Sequence, residues 1–164
     1  MPAPELTAVV AATHEIWMRT NDLIGQALAR HRLTPATFQA LWAIDPAESP
    51  PSMKVMAERL YCNAGNLTFI TNQLTDRGLV ERAVDPADRR SRVLVLTAEG
   101  RRVRDELLRT ALEKTPLAVL TDEELRQLSA LLDRALRSGG APPHEPVPSA
   151  TGPGRQAKAE EQGP

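Results

Sequence analysis

Apolar residues recur at three- and four-residue intervals through most of the chain, and this spacing predicts amphipathic helices. Thr34 is a capping residue followed by Pro35, a good first residue of a helix. Asn63 is a second capping residue, and Gly78 lies where a helix commonly ends in the left-handed conformation. The first half of the chain is therefore predicted to hold four helices, at about residues 5–30, 34–45, 53–61 and 63–77.

The period of the pattern changes after Gly78. Leu79–Arg82 and Arg92–Leu96 are rich in strand-forming residues, and the polar stretch between them predicts a hairpin. Two helices follow: one is capped by Thr97 and ends before Pro116, and the other begins with the capping box Thr121 to Glu124. Beyond residue 137 the chain is rich in Pro, Gly and charged residues, which predicts a disordered tail over 138–164.

The order of these elements predicts a mainly α fold with a small antiparallel β wing. Two short helices joined by a tight turn and followed by a hairpin make a winged helix-turn-helix. We predict one domain over residues 1–137, with six helices. Its DNA-binding lobe is expected at about 33–97, and its dimerisation helices at 5–31 and 98–137.

Composition narrows the class of protein. A chain of 164 residues with 41% hydrophobic and 25% charged residues is typical of one globular domain. No segment reaches the roughly 18 apolar residues of a membrane span, and no secretory leader opens the chain. The single cysteine, Cys62, excludes an intramolecular disulfide framework. We predict a cytoplasmic protein without a membrane partner.

The net charge of −1 gives no sign of a nucleic-acid partner, but the charge is unevenly distributed. Ser52 to Arg104 contains ten basic and six acidic residues, a local net charge of +4. A positive region attracts phosphate whatever the total charge.

The fourth helix is the candidate for reading DNA, because a helix fits the major groove. If its apolar residues face inward, the outward face carries amides and hydroxyls. Asn and Gln can pair with the adenine edge, and Phe69 would suit thymine methyls or sugars. The alternative is a solvated, amide-rich surface helix. The predicted DNA contacts on this helix are Asn63, Ala64, Gly65, Asn66, Thr68, Phe69, Asn72 and Gln73.

The predicted hairpin tip carries three arginines within four residues, and an aspartate, Asp88, comes directly before them in the chain. Arginine side chains are held in a narrow minor groove by its negative potential. We expect Asp88 to orient one of them through a charge-assisted hydrogen bond. A solvated charged loop is the alternative. The predicted wing contacts are Asp88, Arg89, Arg90 and Arg92.

Several segments together resemble the MarR family of multiple-antibiotic-resistance regulators. They are Arg32–Thr34, Phe38–Leu41, Met56–Leu60, Leu74–Arg82 and, most specifically, Asp85–Gly100 (DPADRRSRVLVLTAEG). The resemblance follows residues 5–137 in order. It implies that Asp88 and Arg90 match the wing's Asp-any-Arg motif and that Asn63 to Gln73 match the recognition helix. Phe69, Asn72 and Gln73 depart from the charged residues common in relatives, so no operator sequence can be transferred.

The resemblance also implies a cytosolic homodimer whose interface is formed by the first, fifth and sixth helices. An independent physical reason supports pairing, because these helices carry more apolar surface than one small domain can cover. Two copies would place two recognition helices about one DNA turn apart. The predicted partner is therefore double-stranded DNA with a pseudo-palindromic operator.

Relatives in this family respond to small aromatic or phenolic ligands bound between the dimer helices and the DNA-binding lobe. The chain is accordingly predicted to be a sequence-specific repressor released by such an effector. Core packing is the alternative role of the aromatic residues in this region. The residues expected to line the pocket are His14, Trp17, Met18, Asn21, Phe38 and Trp42.

Other functions have weaker support in the sequence. Cys62, next to the recognition helix, leaves open a redox-responsive regulator, and a winged-helix protein-interaction module without DNA binding also stays open. His14, His31 and His144 are too far apart along the chain to predict a metal site. No nucleophile–base pattern or phosphate loop is present, so we predict neither an enzyme nor a cofactor.

Overall fold

The computed structural model describes residues 3–138. Over that range it contains six α-helices and one two-stranded antiparallel sheet, which confirms the predicted class. The predicted tail lies outside the described residues, apart from Ser138, which ends the last helix. The elements are α1 (Pro4–Arg30), α2 (Pro35–Ala43), α3 (Met53–Arg59), α4 (Ala64–Asp76), β1 (Val80–Val84), β2 (Arg92–Leu96), α5 (Ala98–Lys114) and α6 (Asp122–Ser138).

Side-chain caps start the helices where the sequence predicts them. Thr34 accepts a hydrogen bond from the backbone N–H of Thr37, and Thr97 accepts one from Gly100. At α6 the carboxylate of Glu124 accepts the Thr121 N–H at 2.8 Å while the Thr121 hydroxyl accepts the Glu124 N–H. This reciprocal pairing satisfies backbone donors that have no partner within the helix, so each start is set by local sequence.

The ends of α3 and β1 differ from the prediction, and one additional element is present. α3 ends at Arg59 instead of Tyr61, because Tyr61 adopts a left-handed φ of 49° and turns the chain toward α4. β1 runs over Val80–Val84 instead of Leu79–Arg82. Leu79 is outside the strand because its N–H donates to the Leu74 carbonyl, closing the turn at Gly78 (φ 67°). A 3₁₀ helix at Pro116–Val119, between α5 and α6, was not predicted.

The hydrophobic core lies between the second half of α1, α2, α4, α5 and the sheet. Helices and sheet meet there through apolar side chains that exclude water almost completely, which is the main favourable term in folding. The largest fully buried apolar members are Ile24, Leu41, Met56, Leu67, Leu74, Val80, Leu94, Val103 and Leu107.

The sheet is anchored to the helix-turn-helix at its base. In the pairing of β1 with β2, Val80 lies opposite Leu96 and Val84 opposite Arg92. The Leu94 N–H donates to the Pro51 carbonyl at 2.9 Å, and this tie fixes β2 against the loop before α3. The wing therefore projects from a fixed base beside α4.

A close backbone approach joins the start of α5 to the end of the α4–β1 turn. A Cβ at Gly100 would lie 1.8 Å from the Leu79 carbonyl oxygen, so only glycine fits there. Thr97 reinforces the contact, since its hydroxyl donates to the Gly78 carbonyl at 2.7 Å and its N–H to the Leu79 carbonyl at 3.1 Å. The orientation of α5 relative to the helix-turn-helix and the wing depends on this contact.

Two helix faces remain apolar and uncovered within one protomer. On α6 and on the first part of α1, apolar side chains at helical spacing form stripes that stay exposed among the described residues. Such stripes exceed the scattered apolar exposure of an ordinary monomer surface. The exposed side chains are Leu6, Val9, Val10, Trp17 and Met18 on α1 and Leu125, Leu131, Leu132 and Leu136 on α6.

Candidate nucleic-acid interface

The start of α4 is formed by Asn63. Its Oδ1 accepts the backbone N–H of Asn66 at 2.8 Å, so this oxygen is occupied by capping. Only the amide N–H groups of Asn63 remain to act as donors toward a ligand. The left-handed turn at Tyr61 places this cap directly after α3, which completes the helix-turn-helix.

The outward face of α4 carries the side chains that the sequence assigns to DNA contact. Phe69 is 66% exposed, an unusual position for an aromatic side chain on a solvated helix. Thr71 and Leu74 are fully buried on the opposite side, together with Leu67. The predicted contact residues Ala64, Gly65, Asn66, Thr68, Phe69 and Asn72 are exposed, and Gln73 is half-buried.

Hydrogen bonds within α4 restrict what Thr68 can offer to a ligand. Its hydroxyl donates to the Ala64 carbonyl at 2.8 Å. A hydroxyl has one proton, so outward this group can only accept a hydrogen bond or present its methyl group. Adenine N6 and cytosine N4 are the major-groove donors that suit such an acceptor, and the thymine methyl suits the apolar side.

The wing tip is ordered by two aspartates through the backbone. Asp85 Oδ1 accepts the Ala87 N–H at 2.8 Å, and Asp88 Oδ1 accepts the Arg90 N–H at 2.9 Å. The sequence predicts that Asp88 accepts a hydrogen bond from an arginine side chain, and this prediction is wrong. The carboxylate of Asp88 accepts a backbone N–H instead and shapes the turn. The arginines are positioned by the path of the backbone.

The wing arginines differ in how free their side chains are. Arg92 Nη1 approaches the carbonyls of Arg89 and Ser91 at 3.3 and 3.4 Å. Within residues 3–138, the guanidinium groups of Arg89 and Arg90 make no hydrogen bond or ion pair, and both side chains are exposed. Two guanidinium groups that make no ion pair with the described residues thus lie at the tip.

Arg82 connects the wing to α4, a contact that the sequence reasoning missed. It lies on β1, and its Nη2 donates to Thr71 Oγ1 at 2.7 Å and to Asn72 Oδ1 at 2.8 Å. These contacts join the wing to the exposed face of α4. The spacing of 11 and 10 residues gives no local signal, so only the packing of the hairpin against α4 reveals them.

The predicted ligand-lining residues form two aromatic pairs on different helices. His14 stacks on Trp17 in α1 with ring centroids 6.1 Å apart, and Phe38 contacts Trp42 in α2 at 5.6 Å. Phe38 belongs to the core, whereas Trp17, Met18 and Trp42 are exposed and Asn21 is half-buried. His14 borders a shallow depression on α1, and Trp42 borders a separate groove beside Tyr61. One protomer therefore does not bring the six residues into one cavity.

A cleft of about 380 Å³ lies between α2 and α4, and the sequence reasoning did not predict it. Gln39 lines it from α2, and Asn66 and Gln73 line it from α4. Cys62 lies at its edge, half-buried, and burial raises the pKa of this thiol. A raised pKa leaves less of the nucleophilic thiolate at neutral pH.

No helix between residues 3 and 138 is long and apolar enough to cross a membrane. The same part of the chain has no group of three or more His, Cys, Asp or Glu side chains placed to hold a metal ion.

Comparison with known proteins gives concordant matches. Residues 31–91 match the model of the MarR family. The HTH-type transcriptional regulator MhqR of Bacillus subtilis (strain 168) is 22% identical over 116 residues, covering 70% of this chain and 79% of MhqR.

Solved structures share the fold. CouR of Rhodococcus jostii RHA1 bound to p-coumaroyl-CoA superposes with a TM-score of 0.64 at 21% identity, covering 78% of this chain and 88% of CouR. The transcriptional repressor CouR bound to a 23-mer DNA duplex superposes with a TM-score of 0.61 at 26% identity, covering 84% of this chain and 97% of that one.

Proposed function

We propose that this chain, whose residues 31–91 match the model of the MarR family, is a transcription regulator that binds specific sites in duplex DNA. The observation that carries the proposal is the joint presentation of two features on one lobe. α4 exposes amides, a hydroxyl and Phe69, and the adjacent wing tip holds two arginines whose guanidinium groups have no partner among residues 3–138. The similarity of the fold to CouR, a repressor seen bound to duplex DNA, supports this assignment.

We further propose that it binds as a homodimer through α1, α5 and α6. The uncovered apolar stripes of α1 and α6 support pairing, because burial of apolar area is worth about 25 cal/mol per Å². A two-fold dimer would present two copies of α4 to successive turns of the major groove. We expect it to act in the cytoplasm, as composition predicts.

Selection of DNA fragments by the purified full chain tests both proposals in one experiment. Sequencing the retained fragments should give an inverted repeat whose half-sites lie about 10 base pairs apart. A single half-site would contradict the dimer. Recovery of no enriched motif, with no binding to any duplex at low salt, would overturn DNA binding itself and leave the protein-interaction module as the better explanation.

We expect Asp88→Ala to weaken DNA binding although it removes a negative charge. Its carboxylate holds the Arg90 N–H at 2.9 Å, so its loss disorders the tip and adds an entropic cost when the arginines bind. The expected loss is about 3- to 10-fold in affinity, from roughly 1 kcal/mol for one hydrogen bond. Fluorescence anisotropy with the selected duplex measures it.

Asp88→Asn is the matched control. Its Oδ1 can still accept the Arg90 N–H while the charge is gone, so this variant should bind DNA as tightly as the parent chain or more tightly. If alanine and asparagine both tightened binding equally, charge alone would govern the wing and the shaping role of Asp88 would be wrong.

We also propose that the regulator is a repressor released by a small aromatic or phenolic ligand. The exposed aromatic groups of α1 and α2 support this, because such surfaces suit flat apolar molecules. CouR, with the same fold, binds p-coumaroyl-CoA, which contains a phenolic ring. His14 and Trp42 border separate depressions in one protomer. We therefore place the ligand in a pocket that would form only when the helices of a second protomer close the space between these depressions.

A release assay tests the ligand class. Phenolic acids and their coenzyme A thioesters should dissociate the chain from its selected duplex, and Trp17→Ala or Trp42→Ala should raise the concentration needed by about tenfold or more. Benzoate without a ring hydroxyl and free coenzyme A serve as controls. Release by none of these compounds would remove the proposed effector class and leave DNA binding intact.

The redox alternative has less support. A half-buried thiol whose pKa is raised by burial reacts slowly with peroxide, because thiolate is the reactive form. Cys62 also borders the cleft beside α4, so any modification there would act directly on the DNA-binding face. Unchanged DNA affinity after peroxide treatment would remove this alternative, and oxidation that releases DNA from the parent chain but not from Cys62→Ser would revive it.

A further inference from the structure

The contact between Arg82 and Asn72 determines which atoms of the Asn72 amide face outward. Arg82 Nη2 lies 2.8 Å from Asn72 Oδ1. A guanidinium group only donates hydrogen bonds, so the Asn72 atom facing it must be the carbonyl oxygen. The two N–H donors of the amide are consequently left for a ligand at the exposed face of α4.

The same nitrogen of Arg82 makes a second hydrogen bond, which restricts the position of the guanidinium group. Nη2 also donates to Thr71 Oγ1 at 2.7 Å, and Thr71 is fully buried. The Thr71 hydroxyl in turn donates to the Thr68 carbonyl at 3.1 Å. Donor and acceptor are therefore defined at each of these three contacts. If Arg82 rotated away from Asn72, the buried Thr71 hydroxyl would lose the hydrogen bond that it accepts.

The direction of the amide changes the base that Asn72 can read. A free asparagine pairs with adenine by accepting from N6 and donating to N7. With its oxygen facing Arg82, Asn72 would bring N–H groups against the adenine N6 amine, so that both partners would be donors. Guanine offers two neighbouring acceptors, O6 and N7, in the major groove.

We propose that Arg82 is a positioning residue that makes Asn72 a reader of guanine in place of adenine. The inference rests on the proposed function, because it assumes that α4 lies in the major groove. It adds a determinant of specificity beyond the Asn72 side chain itself. Arg82 on β1 orients the Asn72 amide so that its N–H donors face the base.

The test measures the base preference of full-length variants on the selected duplex. The position read by Asn72 is first identified as the one whose preference disappears in Asn72→Ala. At that position the parent chain should favour guanine over adenine by about tenfold. In Arg82→Ala the amide is free to turn, so the ratio should fall to about one or reverse.

Arg77→Ala is the matched control, because Arg77 is exposed in the same lobe and donates only to the backbone carbonyl of Gln73. It removes the same charge without touching an amide side chain. Its guanine-to-adenine ratio should equal that of the parent chain, even if its affinity falls. An Arg82→Ala variant that binds all duplexes more weakly at an unchanged ratio would overturn the inference and leave Arg82 as a phosphate contact.

Asn72→Asp keeps the test decisive if Arg82→Ala fails to fold. An aspartate still accepts from Arg82 but has no donors, so the guanine preference should vanish although Arg82 is intact. Retention of the preference, or the absence of any position that depends on Asn72, would overturn the inference. Failure of the parent chain to bind any duplex would instead overturn the proposed function on which it rests.

Discussion

Replacing Arg90 with alanine is expected to lower the affinity for every duplex about 10- to 100-fold. The side chain is exposed, and its guanidinium has no partner within residues 3–138, so nothing in the protein competes with a phosphate or a minor-groove acceptor. A hydrogen bond involving a charged group is worth about 1.5–3 kcal/mol. The loss should be similar for specific and scrambled duplexes, because the wing does not read base edges in the major groove.

Salt dependence identifies the origin of this loss. Removal of one phosphate contact should reduce the slope of log affinity against log salt concentration by about 0.9. Titrations between about 50 and 200 mM salt measure the slope. An unchanged slope with a lost preference at one base pair would contradict the assignment of Arg90 to the backbone or minor groove.

Two comparison variants separate the wing from other effects. Arg126→Ala removes the same charge from α6, where Arg126 already pairs with Glu123, so DNA affinity should hardly change. Asn66→Ala removes an exposed amide from α4 and should cost about 1–3 kcal/mol at particular bases only. Equal losses for Asn66→Ala and Arg90→Ala on all duplexes would mean that the two elements do not divide recognition as proposed.

Gly100→Ala is expected to destabilise the fold more than any surface substitution. The added Cβ would lie 1.8 Å from the carbonyl oxygen and 2.8 Å from the carbonyl carbon of Leu79, and backbone atoms cannot rotate away as a side chain can. α5 or the turn before β1 must shift, which breaks the bonds that Thr97 makes there. We expect a cost of about 3 kcal/mol, as for severe overpacking.

The chain offers a matched control for this glycine. A Cβ at Gly25, within α1, would meet no atom within 4 Å, and alanine is a better helix former than glycine by about 0.5–1 kcal/mol. Thermal and urea unfolding at one protein concentration should therefore place Gly25→Ala above the parent chain and Gly100→Ala below it by about 10 °C. A Gly100→Ala protein as stable as the parent would show that the approach to Leu79 is not a constraint.

The sequence predicted best those features that depend on near neighbours. Thr34, Asn63, Thr97 and Thr121 start helices through contacts with residues three positions along, and the spacing of such residues is visible without a structure. The outward face of α4 followed from the same logic, because Leu67 and Leu74 recur at the helical period.

Features that depend on the packing of distant segments escaped prediction. Arg82 lies on β1 in sequence but contacts Asn72, since the hairpin folds back along α4. Thr71 was not recognised as a core residue, because its burial requires a partner for its hydroxyl, and Arg82 and the helix backbone supply it. Asp88 was correctly placed in the wing, but the choice between a side-chain and a backbone donor depends on a turn geometry that residue types do not fix.

The uncovered leucines of α6 would also make the regulator sensitive to its own abundance. Association of two protomers is second order, so at low expression the concentration of the dimer grows roughly as the square of the amount synthesised. Occupancy of a two-fold operator would then rise more steeply than in proportion to gene dosage. Leu131 and Leu136, which lie on α6 away from the helix-turn-helix, would in this way set how steeply DNA binding depends on the amount of protein.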